Sequence, residues 1–194
     1  MAAKPSLPAD YFERMYAETP DPWGFETSAY EAEKYDHTIA ALGGRRYVRA
    51  LEIGCANGVL TRRLAAQADS LLAIDASATA LGRARQRCAD VPSVKTELVT
   101  FPHHPPTGAK YDLVVMSEVA YYWDDDDLAR AAEWLRGQLA DGGDLLLVHW
   151  TGETDYPQTA DEAAEGLRLG FEPGPEIVVS DRTADYRLDL WRRR

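Results

Sequence analysis

Apolar residues follow two rhythms along this chain. After Tyr47, short apolar runs bounded by turn residues alternate with stretches whose apolar positions recur every three to four residues. The runs predict strands over 47–53, 70–74, 94–99, 111–117 and 144–150. The helical spacing predicts helices over 59–68 and 78–89, and over 128–139, where Leu128, Ala131, Ala132, Leu135 and Leu139 fall on one face. Such alternation argues for a parallel sheet wrapped by helices. The tail changes character: EIVVS and YRLDLW are β-rich and are separated by the polar, turn-prone DRTAD. They predict an antiparallel hairpin added to the parallel sheet, seven strands in all.

Upstream of Tyr47 lies a separate helical layer, YFERMYAE and YEAEKYDHTIAAL flanking the loop PDPWGF, with Gly43-Gly44 ending the second helix. It carries Tyr11, Phe12, Tyr16, Trp23, Phe25, Tyr30 and Tyr35. Two readings of these aromatics stay open: a cover for the sheet edge, or a lid over a ligand. With 194 residues the chain suits one domain, here 1–194, divided into a helical lid over 1–44 and a core over 45–194.

Charge narrows the partners. A formal net charge of −11 repels phosphate backbones and acidic lipid head groups, so neither nucleic acid nor a membrane surface is expected. No run approaches the length of a membrane span, and MAAKPSLPAD lacks the apolar centre of a signal peptide, which fits a cytoplasmic protein. Cys55 and Cys88 then read as reduced thiols without metal-ligand spacing, and no metal is expected. The run Asp124–Asp125–Asp126–Asp127 reads as the acidic start of the helix that follows, and Arg192–Arg193–Arg194 as a solvated end. Oligomeric state is not legible.

In an open α/β sheet, ligands bind beyond the carboxyl ends of the strands. The first strand-to-helix turn reads Leu51-Glu52-Ile53-Gly54-Cys55-Ala56-Asn57-Gly58-Val59. Gly54 and Gly58 allow a tight turn and a close backbone approach to a ligand. A dinucleotide fingerprint wants glycine at the positions of Ala56 and Val59, and a phosphate-cradling loop wants a following Gly-Lys-Ser/Thr; both patterns fail. Asp75 ends the next strand, LLAID, where a carboxylate can accept two hydrogen bonds from ribose hydroxyls. The alternative for Asp75 is a helix cap, a place that Ser77 fills equally well.

The run LEIGCANG, the strand end LLAID, YDLVVMSE and LADGGDLLLVHW, in that order, resemble class I S-adenosylmethionine-dependent methyltransferases over the chain from Tyr47 onward. A narrower resemblance is to NodS-like methyltransferases, through DPWGFETSAYEAEKY, SEVAYYW and LVHWTGETDYPQTADEA. The resemblance implies a doubly wound, mostly parallel seven-stranded Rossmann-like sheet with S-adenosyl-L-methionine as cofactor. It implies that Glu52 and Gly54–Gly58, through Cys55, Ala56 and Asn57, hold the methionine part, and that Asp75 with Ala76 holds the ribose. Tyr30 and Ser117 complete the cofactor set. The acid that often meets adenine after the third strand is replaced near Thr100-Phe101, so Phe101 is expected to cover the base. The NodS resemblance implies N-methylation of an amino sugar in a small-molecule or oligosaccharide acceptor. An O-methyltransferase of a small metabolite and a non-catalytic cofactor-binding partner subunit remain the alternatives.

Displacement at a sulfonium needs alignment more than a covalent residue. An amine acceptor must lose a proton, and Glu118 and His149, past the fourth and fifth strands, are the candidate proton acceptors. Their alternatives are a solvated loop acid and a strand residue bonded to backbone. Tyr121 and Tyr122, beside Trp123, offer an acceptor wall with Trp23. The remaining histidines, His37, His103 and His104, form no pattern; HHPP reads as a surface turn.

Overall fold

The computed structural model describes residues 4–108, 110–171 and 174–194; the first three residues of the expected lid lie outside them. Helices α1 (Ala9–Glu18) and α2 (Ala29–Ala41) precede β1 (Ala50–Ile53), α3 (Val59–Leu64), β2 (Leu71–Asp75), α4 (Ala78–Arg87) and β3 (Val94–Leu98). Then follow β4 (Tyr111–Ser117), α5 (Asp125–Gln138), β5 (Leu139–Trp150), α6 (Ala160–Leu169), β6 (Glu176–Arg182) and β7 (Tyr186–Arg192). The seven strands lie in the order β3-β2-β1-β4-β5-β7-β6. Two compact units emerge, Pro8–Val99 and the residues up to Leu7 together with Thr100–Arg194; neither boundary coincides with residue 44.

In the first unit β1 pairs parallel with β2, and β2 with β3. All four residues of β1 are buried, Glu52 included, whereas β3 is largely exposed and carries Lys95 and Glu97. Charge on an edge strand discourages pairing with another chain. The helix expected over 59–68 is shorter, because α3 ends at Leu64 and Ala65–Gln67 continues as a 3-10 turn.

In the second unit β4 pairs parallel with β5, and β5, β7 and β6 pair antiparallel in turn. Leu113, Val114, Val115 and Met116 of β4 and Leu145, Leu146, Leu147 and Val148 of β5 are wholly buried. Burial on both faces explains why these strands read as unbroken apolar runs, and each such side chain contributes about 1.5–3 kcal/mol. Asp124 caps α5 by accepting the Asp127 N–H at 3.0 Å, which agrees with the acidic run as a helix start.

Three expectations change. Helix α6 was not expected, although Thr159 and Glu162 form a reciprocal capping box at its start. The basic tail is not a free end: Arg192 makes a forked pair with buried Asp144, and Arg193 donates to the carbonyls of Arg136 and Leu139. His103 is more than part of a surface turn, since its Nε2 lies 3.2 Å from Asp127 Oδ2.

Candidate functional site

The turn after β1 is built as a tight cradle. Gly54 and Cys55 both donate their N–H to the Ile74 carbonyl, at 2.9 and 3.0 Å, and the Gly58 N–H closes onto Cys55 at 2.9 Å. Gly54, Ala56 and Gly58 have φ of 78°, 51° and 81°. Ala56 thus stands in the left-handed region, where a side chain costs about 1–2 kcal/mol. Gly58 is needed for a reason other than ligand approach: a Cβ on it would lie 2.9 Å from Ala84 Cα of α4. Gly58→Ala combines the φ penalty with that overlap and is expected to lose about 2–5 kcal/mol of stability. An unfolding midpoint equal to the native one would contradict this packing.

Asp75 ties the cradle to the next turn. Its Oδ2 accepts the Ala56 N–H and its Oδ1 the Ser77 N–H, each at 2.8 Å. Ser77, not Asp75, caps α4, its Oγ accepting from Ala80 at 3.1 Å. Burial raises the Asp75 carboxyl above its usual range, against the pull of the Ser77, Ala56 and Ala76 N–H groups. Each carboxylate oxygen has a second lone pair, so accepting these two N–H groups is compatible with receiving two hydroxyls.

Glu52 on β1 is 2 % exposed and its Oε2 has no hydrogen-bond partner. Burial pushes its carboxyl up to about 8, with the Asp75 charge adding to the rise. The Thr61 hydroxyl opposes it without reaching full hydrogen-bond geometry. Asn57 Oδ1, also buried, is a second unpartnered acceptor. Two such acceptors in and beside the cradle suit a donor-rich, cationic group such as the ammonium of the S-adenosylmethionine amino-acid end. An acid whose pKa rises on folding keeps its proton in the folded chain after the unfolded chain has lost it. Its contribution is therefore full at low pH and declines as pH climbs from 4.5 toward about 8. Glu52→Gln is expected to melt higher than the native, ligand-free protein near pH 8, with the gap closing toward pH 5; a gap independent of pH would contradict this.

The helical layer is fastened to this cradle's neighbours. Glu13 of α1 accepts from Ser77 Oγ at 2.6 Å and from the Thr79 N–H and hydroxyl, which lower its carboxyl to about 2. Arg83 of α4 donates to the carbonyls of Pro20 and Tyr16 at 2.8 and 3.1 Å. Trp23 is stacked on Phe25, centroids 5.5 Å apart, with its edge toward Tyr16. Tyr30 lies under Lys34, whose Nζ is 5.1 Å from the ring centroid and 2.9 Å from Glu31 Oε1. Lys34 and Glu31 are both buried. A buried ion pair beside an expected cofactor residue is a feature that sequence pattern alone does not reveal, because both residues look like ordinary helix surface.

In the second unit, Glu118 directly follows β4 with φ of 59°. A non-glycine residue held there is uncommon and clusters at functional sites. Its N–H donates to the Val148 carbonyl at 2.8 Å, and its Oε2 accepts from the Tyr121 hydroxyl at 2.5 Å and from the Trp150 N–H at 2.9 Å. The Tyr121 hydroxyl is kept protonated, pushed well above its ordinary value by burial first and by the Glu118 charge next. Tyr121 stacks on Tyr156 at 5.4 Å, and Tyr122 meets both rings edge-on.

His149 departs from its expected role. It is wholly buried, and its Nε2 accepts the Ala120 N–H at 3.1 Å. That bond assigns the ring proton to Nδ1, so His149 holds the 3-10 turn Ala120–Tyr122 in place instead of offering a base. Phe101 departs as well: it is 8 % exposed and packed between Trp123 and Trp134, at 5.4 and 5.2 Å, as core. Ala76 and Ser117 are half-buried at the ends of β2 and β4, Cys55 is buried, and Thr100 is exposed.

Among the described residues no helix is long and apolar enough to cross a membrane. The family model of nodulation protein S (NodS) matches residues 9–148. Nodulation protein S of Azorhizobium caulinodans is 33% identical over 170 residues, 86% of this chain and 78% of that protein. That of Sinorhizobium fredii is 33% identical over 128 residues, 65% of this chain, and the match spans 59% of the relative's length. The N-methyltransferase NodS of Bradyrhizobium japonicum WM9, solved with S-adenosyl-L-homocysteine, superposes with a TM-score of 0.79 at 25% identity, covering 95% of this chain and 97% of that one. The glycine cradle and the Asp75 bridge lie within residues 9–148 of the family match, and this chain belongs to the NodS family.

Proposed function

We propose that the chain is a single methyltransferase domain that moves a methyl group from S-adenosyl-L-methionine to the amine of an amino sugar in a small-molecule or oligosaccharide acceptor, in the cytoplasm. The observation that carries the reading is the Asp75 carboxylate bridging the Ala56 and Ser77 N–H groups, with unpartnered Glu52 and Asn57 oxygens in the cradle beside it. The cofactor supplies a methyl carbon activated by a sulfonium. Glu52 and the Gly54–Gly58 backbone hold its amino-acid end, while Asp75 with Ala76 accepts the ribose hydroxyls. Tyr30 belongs with the same cofactor residues.

On the acceptor side, Glu118 attracts the ammonium form and takes its proton, freeing the lone pair that attacks. The Tyr121 hydroxyl and the Trp150 N–H fix the carboxylate at Oε2, and fixed orientation is what an in-line displacement needs most. Tyr121 and Tyr122 present aromatic surface suited to a sugar face. The comparison that tests this is turnover, read as S-adenosylhomocysteine release, with glucosamine oligomers, their fully N-acetylated forms and small phenolic or hydroxy-acid acceptors. Turnover with the free amines and none with the acetylated forms is expected. Faster turnover with the hydroxyl acceptors would favour O-methylation, and no turnover despite cofactor binding would favour a non-catalytic partner.

A further inference from the structure

Asn57 sits in the cradle, 1 % exposed, yet it spends its side-chain donors elsewhere. Nδ2 donates to Glu26 Oε1 at 2.9 Å and to Asp21 Oδ1 at 3.3 Å. The Asn57 main-chain carbonyl accepts from Arg87 Nε at 2.9 Å, and the same guanidinium reaches Glu26 Oε1 at 2.6 Å, closing a ring of contacts. Asp21 in turn shapes its own loop by accepting the Phe25 and Glu26 N–H groups at 2.8 and 2.9 Å. Trp23 rides on that loop, stacked on Phe25. One atom of the ring is unused: Asn57 Oδ1 is buried with no partner.

We propose that Asn57 is a positioning residue that couples the loop carrying Trp23 to occupancy of the Gly54–Gly58 cradle. The coupling rests on the reading of that cradle as the cofactor loop. An amide that gains a donor at its oxygen becomes a stronger donor through its nitrogen, because bonded groups polarise one another. A ligand that supplies a donor to this part of the cradle therefore tightens Nδ2 on Glu26 and Asp21, and with it the turn from Asp21 to Glu26. Coupling is reciprocal, so an intact Glu26 contact also strengthens ligand binding. The sequence hides this link, since Asn57 and Glu26 lie 31 residues apart and fall in two different motifs.

The test is amide hydrogen exchange of the full chain with and without S-adenosylhomocysteine, with affinity measured by calorimetry. In the native chain the ligand is expected to slow exchange over both 54–60 and 21–27. In Glu26→Ala the slowing stays at 54–60 and disappears at 21–27, and affinity falls about fivefold or more. Glu26→Gln keeps an oxygen that accepts from Asn57 and is expected to retain the native pattern, which separates coupling from a general loss of charge. Asn57→Ala gives a second route to the same loss. Persistent slowing at 21–27 in both alanine variants, or a Glu26→Gln that behaves like Glu26→Ala, overturns the proposal. So does a native chain in which 54–60 responds and 21–27 does not. A native chain in which neither segment responds overturns the cofactor reading of the cradle and the coupling with it.

Discussion

Glu118→Gln is expected to lower kcat by about 10²–10⁴ while S-adenosylhomocysteine affinity is kept. Glutamine preserves the size of the side chain and an oxygen for the Tyr121 hydroxyl and the Trp150 N–H, the two donors that hold Oε2. It removes the negative charge and the basicity that the proposed role of Glu118 requires. A loss confined to kcat marks Glu118 as acting in the transition state, whereas a loss confined to acceptor KM marks a positional role. Tyr121→Phe serves as the companion: it frees the carboxylate from one of its tethers without removing it, so a smaller fall is expected. Near-native kcat and KM in Glu118→Gln would make Glu118 a solvated loop acid, and the strained backbone at φ 59° would then need another explanation.

Asp75→Ala is expected to weaken S-adenosylhomocysteine binding by about 10- to 150-fold, the equivalent of about 1.5–3 kcal/mol for hydrogen bonds to a charged group. The geometry adds a second consequence. The same carboxylate holds the Ala56 and Ser77 N–H groups, and its loss releases Ala56 from the left-handed conformation it occupies. The ligand-free variant should accordingly melt below the native protein, and Asp75→Asn, which retains one acceptor oxygen, should fall between the two in both measurements. Calorimetry showing native affinity for Asp75→Ala would remove Asp75 from the site.

Local signals in the sequence carried far. The β4 run 111–117 was legible to the residue, because a strand buried on both faces shows as an unbroken apolar stretch bounded by polar residues. The terminal hairpin was legible from its turn-prone DRTAD. Gly54, Gly58 and Asp75 were legible by spacing as a tight turn and a strand-end acid, and the structure ties the acid to that turn through the Ala56 N–H, with the approach of Ala84 as a packing reason for glycine at 58. Helix α6 carried a readable capping signal in Thr159 and Glu162, and its start was missed against a polar, turn-like background. Other features had no local trace. His149 Nε2 accepts from a backbone N–H 29 residues away, Phe101 turns into a cluster with Trp123 and Trp134, and Glu13 reaches Ser77 and Thr79 across more than sixty residues. Each depends on tertiary partners: residue type had suggested a base for His149 and an adenine cover for Phe101, and it gave no reading of Glu13 at all.

The most direct measurement is the destination of an isotopically labelled methyl group. The chain is incubated with S-adenosylmethionine carrying a carbon-13 methyl and with a glucosamine oligomer bearing free amines, and the product is read by nuclear magnetic resonance. A labelled methyl is expected on the sugar nitrogen, correlated with the carbon that bears it, with one S-adenosylhomocysteine formed per methyl moved. Label on a sugar oxygen, or S-adenosylmethionine bound and unspent in the presence of the amine, would contradict it.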